Sequence, residues 1–114
     1  MTVMLLYEFW QQAFIQNDAE PVQRLTYQLL VPQPFQYFTE AVESLDFETF
    51  RVPVSYVFSA DDFGMPPGEY QRHAARLGVT PSPAPGSHEV FFTQPEGLAQ
   101  ALQDAPGHRS PRAG

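Results

Sequence analysis

Two carboxylates and one histidine stand where proton-transfer chemistry could use them. Asp61 and Asp62 close the apolar run Val52-Pro-Val-Ser-Tyr-Val-Phe-Ser59, and His88 follows within Pro85-Gly-Ser-His-Glu-Val-Phe-Phe-Thr-Gln-Pro95. A carboxylate that accepts a hydrogen bond from one imidazole nitrogen fixes the tautomer of the ring. The other nitrogen is then free to take a proton from a hydroxyl. Acid and base so paired form the proton-handling half of acyl transfer, and the order of elements around them decides whether they can meet.

The competing readings are simpler. Asp62 alone could be a loop acid opening a turn before Gly64, and Asp61 is its neighbour and rival, more easily read as solvated. His73 lies between Glu69, Arg72 and Arg76 and reads as exposed, while His108 lies near the end of the chain. Three scattered histidines and no cysteine do not make a metal site, and no cofactor is expected. Ser87 could be offered as a nucleophile, but immediate neighbours on a loop seldom aim Oγ at the adjacent ring.

The elements that must position these groups follow from periodicity. Leu6, Phe9, Trp10, Ala13 and Phe14 predict a helix over 4–17, its apolar face most simply packing into a core. Pro21 opens a second helix with Val22, Leu25 and Leu29 on one stripe. A third starts near Pro34, carrying Phe35, Phe38, Val42 and Leu45. Glu40, Glu43, Asp46 and Glu48 read as a solvated face. Val52 to Phe58 predicts a parallel strand covered on both sides, with Pro53 at its start. Glu69 to Leu77 is a helix capped by Gly78. Val79 to Pro85 fills a second strand slot, but its prolines allow only an edge position. Pro95 to Gln103 is a last helix with Leu98, Ala101 and Leu102 inward, and 104–114 reads as a disordered tail.

Composition narrows the function classes. The chain has 114 residues, at most one ordinary domain. Its net charge is −7, with six arginines and no lysine, and such a surface repels phosphate backbones, so no nucleic-acid partner is expected. No apolar run is long enough to cross a membrane, and the amino terminus lacks the features of a signal peptide. The expectation is a soluble, cytoplasmic protein without a membrane partner.

Residues 52–102 resemble the carboxyl end of α/β-hydrolase-fold enzymes, nearest the esterase group that holds plant methyl esterases and hydroxynitrile lyases. The acid motif of that group matches Asp62-Phe-Gly-Met-Pro66, followed by the aromatic–Gln pair Tyr70-Gln71. Its histidine motif matches Ser87-His88, Val90-Phe91-Phe92 and Pro95 with Leu98. The resemblance implies Asp62 as the triad acid and His88 as the general base. It also implies a helical cap over 1–50, a strand–helix–strand–helix unit over 51–103 and an α/β fold forming the last part of a three-layer sheet.

One departure matters for mechanism. The nucleophile elbow of the family is Gly-x-Ser-x-Gly, and none of the serines at 44, 55, 59, 82, 87 and 110 has glycine on both sides at that spacing. The resemblance therefore implies hydrolysis of a small ester or acyl substrate only when an upstream segment completes the site. A truncated gene, a misplaced start or a split reading frame would each give this pattern. The rival reading is a non-catalytic remnant or interaction module that docks through its apolar helices. Self-association through an exposed sheet edge is a further expectation.

Overall fold

The computed structural model describes residues 1–42 and 51–106. Leu45, the acids Glu43, Asp46 and Glu48, His108 and the tail from 107 lie outside them. The described residues begin with β1 (Thr2–Val3) and α1 (Tyr7–Phe9), which runs straight into a π-helical stretch, Trp10–Phe14. The stretch closes with the Ile15 N–H donating to the Trp10 carbonyl at 3.2 Å. α2 (Glu20–Tyr27) follows with Pro21 in its first turn, where a missing N–H costs nothing.

Trp10 joins these two segments. Its indole is buried and donates to the Gln23 carbonyl and to Thr26 Oγ1, both at 3.2 Å. Gln23 in turn donates from Nε2 to the Ile15 carbonyl at 3.1 Å, an oxygen that also accepts from the Asp18 N–H at 3.2 Å. The inward face of α2 is therefore polar. This corrects the expected stripe, because Leu25 and Leu29 are 61% and 71% exposed. Leu6 and Phe9 are also exposed, and only Trp10 and Ala13 of the first stripe are buried.

β2 (Gln33–Pro34) pairs antiparallel with β1, Thr2 opposite Pro34 and Val3 opposite Gln33. The third helix is a single turn, α3 (Gln36–Thr39), with extended backbone at Glu40; Val42 is 91% exposed and off the helix.

The second sheet positions the site. β3 (Tyr56–Ser59) is shorter than expected, since the segment Val52 to Val54 is not strand. It pairs parallel with β4 (Pro81–Ala84), Tyr56 opposite Pro81 and Ser59 opposite Ala84. Past the strand ends, Ala60 and Asp61 donate to the carbonyls of Ala84 and Gly86, each at 2.9 Å. Backbone direction alternates with a period of two. Residues 82, 84 and 86 thus face β3, while Pro81, Pro83 and Pro85 face the outer edge, where no ladder donor is needed. The two prolines within β4, and Pro85 just past it, are compatible with a strand here because all fall on one side.

α4 (Glu69–Arg76) joins the two strands and packs Tyr70 against Phe58, ring centroids 5.6 Å apart. Gly78, at φ 71°, ends it as expected. Val79 N–H reaches the Ala74 carbonyl at 3.1 Å and Gly78 N–H the Ala75 carbonyl at 3.0 Å, a Schellman cap. After a short α5 (Val90–Thr93), α6 (Pro95–Asp104) carries Leu98 and Ala101 half-buried, whereas Leu102 is exposed. Asp104 is the last residue of that helix, and Ala105 is buried.

Candidate active site

The parallel pairing sets two loops side by side, one leaving β3 and one leaving β4. Gly86 turns the second loop at φ 129°, a backbone angle that side chains rarely adopt. A Cβ there would also meet Val90 Cγ2 at 3.0 Å. The two turns bring Asp62 and His88 together, with His88 Nδ1 2.8 Å from Asp62 Oδ2.

Asp62 is enclosed and its side chain is only 1% exposed. A buried carboxylate is costly unless its oxygens are bonded, and here both are. Oδ1 accepts from the Gly64 N–H at 2.8 Å, the tight turn expected of an acid two residues before glycine. Oδ2 accepts from His88 and also from the Tyr70 hydroxyl. Burial, followed by that bond to Asp62, pushes the Tyr70 phenol well above its ordinary range, so it stays protonated and a donor. Asp61, by contrast, is exposed: Asn17 Nδ2 lies 3.3 Å from its Oδ2 and Gln16 donates to its carbonyl at 2.5 Å.

The side chain of His88 is 33% exposed, and no described residue hydrogen-bonds its Nε2. Phe14 packs edge-on to the imidazole with centroids 4.5 Å apart, and its carbonyl accepts from the Glu89 N–H at 3.2 Å. The end of the first helical segment, Phe14 to Asn17, thus ties both loops. Burial pushes the Glu89 carboxyl up, partly offset by His88. A cleft of about 330 Å³ lies beside the acid, walled by Phe58, Asp62, Met65, Pro66 and Tyr70, and does not reach His88.

Ser87 is fully buried and its Oγ has no partner among the described residues, so it presents no hydroxyl to a substrate. His73 departs from the exposed reading: it is half-buried, with Nδ1 3.2 Å from the Tyr56 hydroxyl and Nε2 3.1 Å from Glu69 Oε1. Among the described residues no three His, Asp or Glu side chains gather as a metal site. Two features were missed from sequence, the Tyr70 hydroxyl on Asp62 and the Phe14 contact with His88. The aromatic–Gln pair was the available signal for the first; nothing local signalled the second.

No family model matches the chain, and no curated protein does. Among solved structures, it is similar to an extracellular α/β-hydrolase from a Paenibacillus species. That protein is described as sharing structural and functional homology with tobacco salicylic acid binding protein 2. The match has a TM-score of 0.75 at 22% identity, and covers 91% of this chain and 45% of that one. The chain spans less than half the length of that hydrolase, and over that span its fold is the α/β fold of the carboxyl-terminal part of an α/β-hydrolase.

Proposed function

We propose that the chain is the acid–base half of a serine esterase-like α/β-hydrolase that acts on a small ester or acyl substrate. The observation that carries this reading is the 2.8 Å contact between His88 Nδ1 and the enclosed Asp62 carboxylate. Asp62 accepts a hydrogen bond from the Nδ1–H, which keeps that proton on Nδ1 and leaves the Nε2 lone pair free. Nε2 then takes the proton of a serine hydroxyl as that oxygen attacks the acyl carbon, and returns it to the leaving alkoxide. Water reverses the sequence and frees the acid. The serine and the donors for the oxyanion come from outside these 114 residues, which hold no Gly-x-Ser-x-Gly. Helices over 1–50 would serve as the cap.

A fluorophosphonate probe tests the reading, with the chain produced together with the polypeptide encoded directly upstream. Labelling is expected on a serine of that upstream segment, and His88→Ala should abolish it. Labelling of Ser87 would contradict the reading. A second reading, a non-catalytic module docking through its helices, is favoured by the exposure of Leu25, Leu29 and Phe38. It predicts no labelling in either sample.

A further inference from the structure

We infer that Tyr70 is a positioning residue for the acid–base pair, holding Asp62 Oδ2 toward His88 and moderating how strongly that oxygen binds the imidazole. The inference rests on the proposed hydrolase reading of that pair. Its ground is the sharing of one oxygen. Oδ2 accepts from both the Tyr70 hydroxyl and His88 Nδ1, while Oδ1 is held by the Gly64 N–H.

Two consequences follow. With Oδ1 pinned to the loop backbone and Oδ2 to a helix, the carboxylate cannot rotate to exchange its oxygens. The hydroxyl, rooted on α4, therefore fixes the direction from which His88 is met. A second donor also draws negative charge from Oδ2, so the bond to the imidazole is weaker than one to a carboxylate oxygen bonded once. Tyr70 supports both roles, being anchored by ring packing on Phe58 and Tyr56, with centroids 5.6 and 6.2 Å away. Glu89, on the histidine loop itself, is a further ionisable group beside the pair.

The test reads the His88 Nδ1–H proton by NMR in the 114-residue chain labelled with ¹⁵N-histidine. Asp62→Asn identifies the signal by removing it. Tyr70→Phe is expected to move the resonance downfield, because Oδ2 is left with His88 alone, and to broaden it as the carboxylate gains freedom. Should Tyr70→Phe lose its folded amide dispersion, 3-fluorotyrosine in place of tyrosine provides a second perturbation. Its hydroxyl is a stronger donor of nearly the same size, and an upfield move is expected. A purely structural Tyr70 would lower the unfolding midpoint without moving the resonance. An unmoved signal in a folded Tyr70→Phe or fluorotyrosine protein overturns the inference and leaves the hydrolase reading standing. The absence of any Asp62-dependent signal in the unsubstituted chain overturns both.

Discussion

Replacing Asp62 with asparagine asks the most of the proposed site. The carboxylate now accepts three hydrogen bonds, from Gly64, Tyr70 and His88. Asparagine can keep one oxygen on the Gly64 N–H, but then turns its amide N–H₂ toward His88. The ring can meet that donor only by carrying its own proton on Nε2, the nitrogen that has to act as base. Two charge-assisted bonds at roughly 1.5–3 kcal/mol each are lost or reversed, about 3–6 kcal/mol together. A turnover loss on the order of 10⁴, the size seen when a triad acid is removed, corresponds to roughly 5.5 kcal/mol at about 1.36 kcal/mol per tenfold, inside that range. Asp61→Asn is the internal control. Asp61 is exposed and meets Asn17 at 3.3 Å, so its loss should stay within about 0.5 kcal/mol, roughly twofold. The assay is p-nitrophenyl acetate turnover by the protein completed with its upstream segment. A greater loss at Asp61 than at Asp62 would refute the assignment of the acid.

Gly86→Ala should lower stability by about 1–3 kcal/mol through backbone strain and the Val90 clash, and Gly78→Ala by less, since a Cβ there meets open space. Urea titrations followed by Trp10 fluorescence should therefore separate the two, and equal midpoints would count against the loop geometry. Burial raises the Glu89 carboxyl, so the folded state holds its proton more tightly than the unfolded chain. Ionised Glu89 then subtracts from stability near neutrality, and the penalty fades as pH falls through its folded range. Glu89→Gln should raise the urea midpoint at pH 7 by an amount that narrows toward acidic pH; a gain growing on acidification would reverse the sign. Leu25→Glu with Leu29→Glu should shift stability by no more than about 0.5 kcal/mol per site in the same titration, because both side chains are already exposed. A large loss of stability would mean that the stripe is buried after all.

The meeting of Asp62 with His88 was legible because strand, carboxylate, helix, glycine-led loop and histidine form a topological statement. Two adjacent parallel strands deliver their carboxyl-end loops to one place, whatever the details between them. The choice of Asp62 over Asp61 came with the family motif, and geometry places Asp62 against the ring. The helices before residue 42 read less well. Hydrophobic periodicity assigns apolar stripes to the interior, yet α2 turns Gln23 and Thr26 inward, where the buried Trp10 indole finds its acceptors. Proline content argued against β4, and only the alternation of Pro81, Pro83 and Pro85 along one edge reconciles it with a strand. The Tyr70 hydroxyl could not be seen, since which face of α4 meets the acid depends on how the helix crosses the sheet.

The central claim, that His88 and Asp62 are competent only with a nucleophile from outside these residues, is tested most directly by ester turnover. The rate of p-nitrophenyl acetate hydrolysis is measured for the 114-residue chain, for the chain with its upstream segment, and for each with His88→Ala. The account predicts that the chain alone equals its His88→Ala counterpart, and that the completed protein turns over substrate and loses that turnover on His88→Ala. Hydrolysis by the chain alone that vanishes with His88→Ala would contradict it and place the nucleophile within the 114 residues.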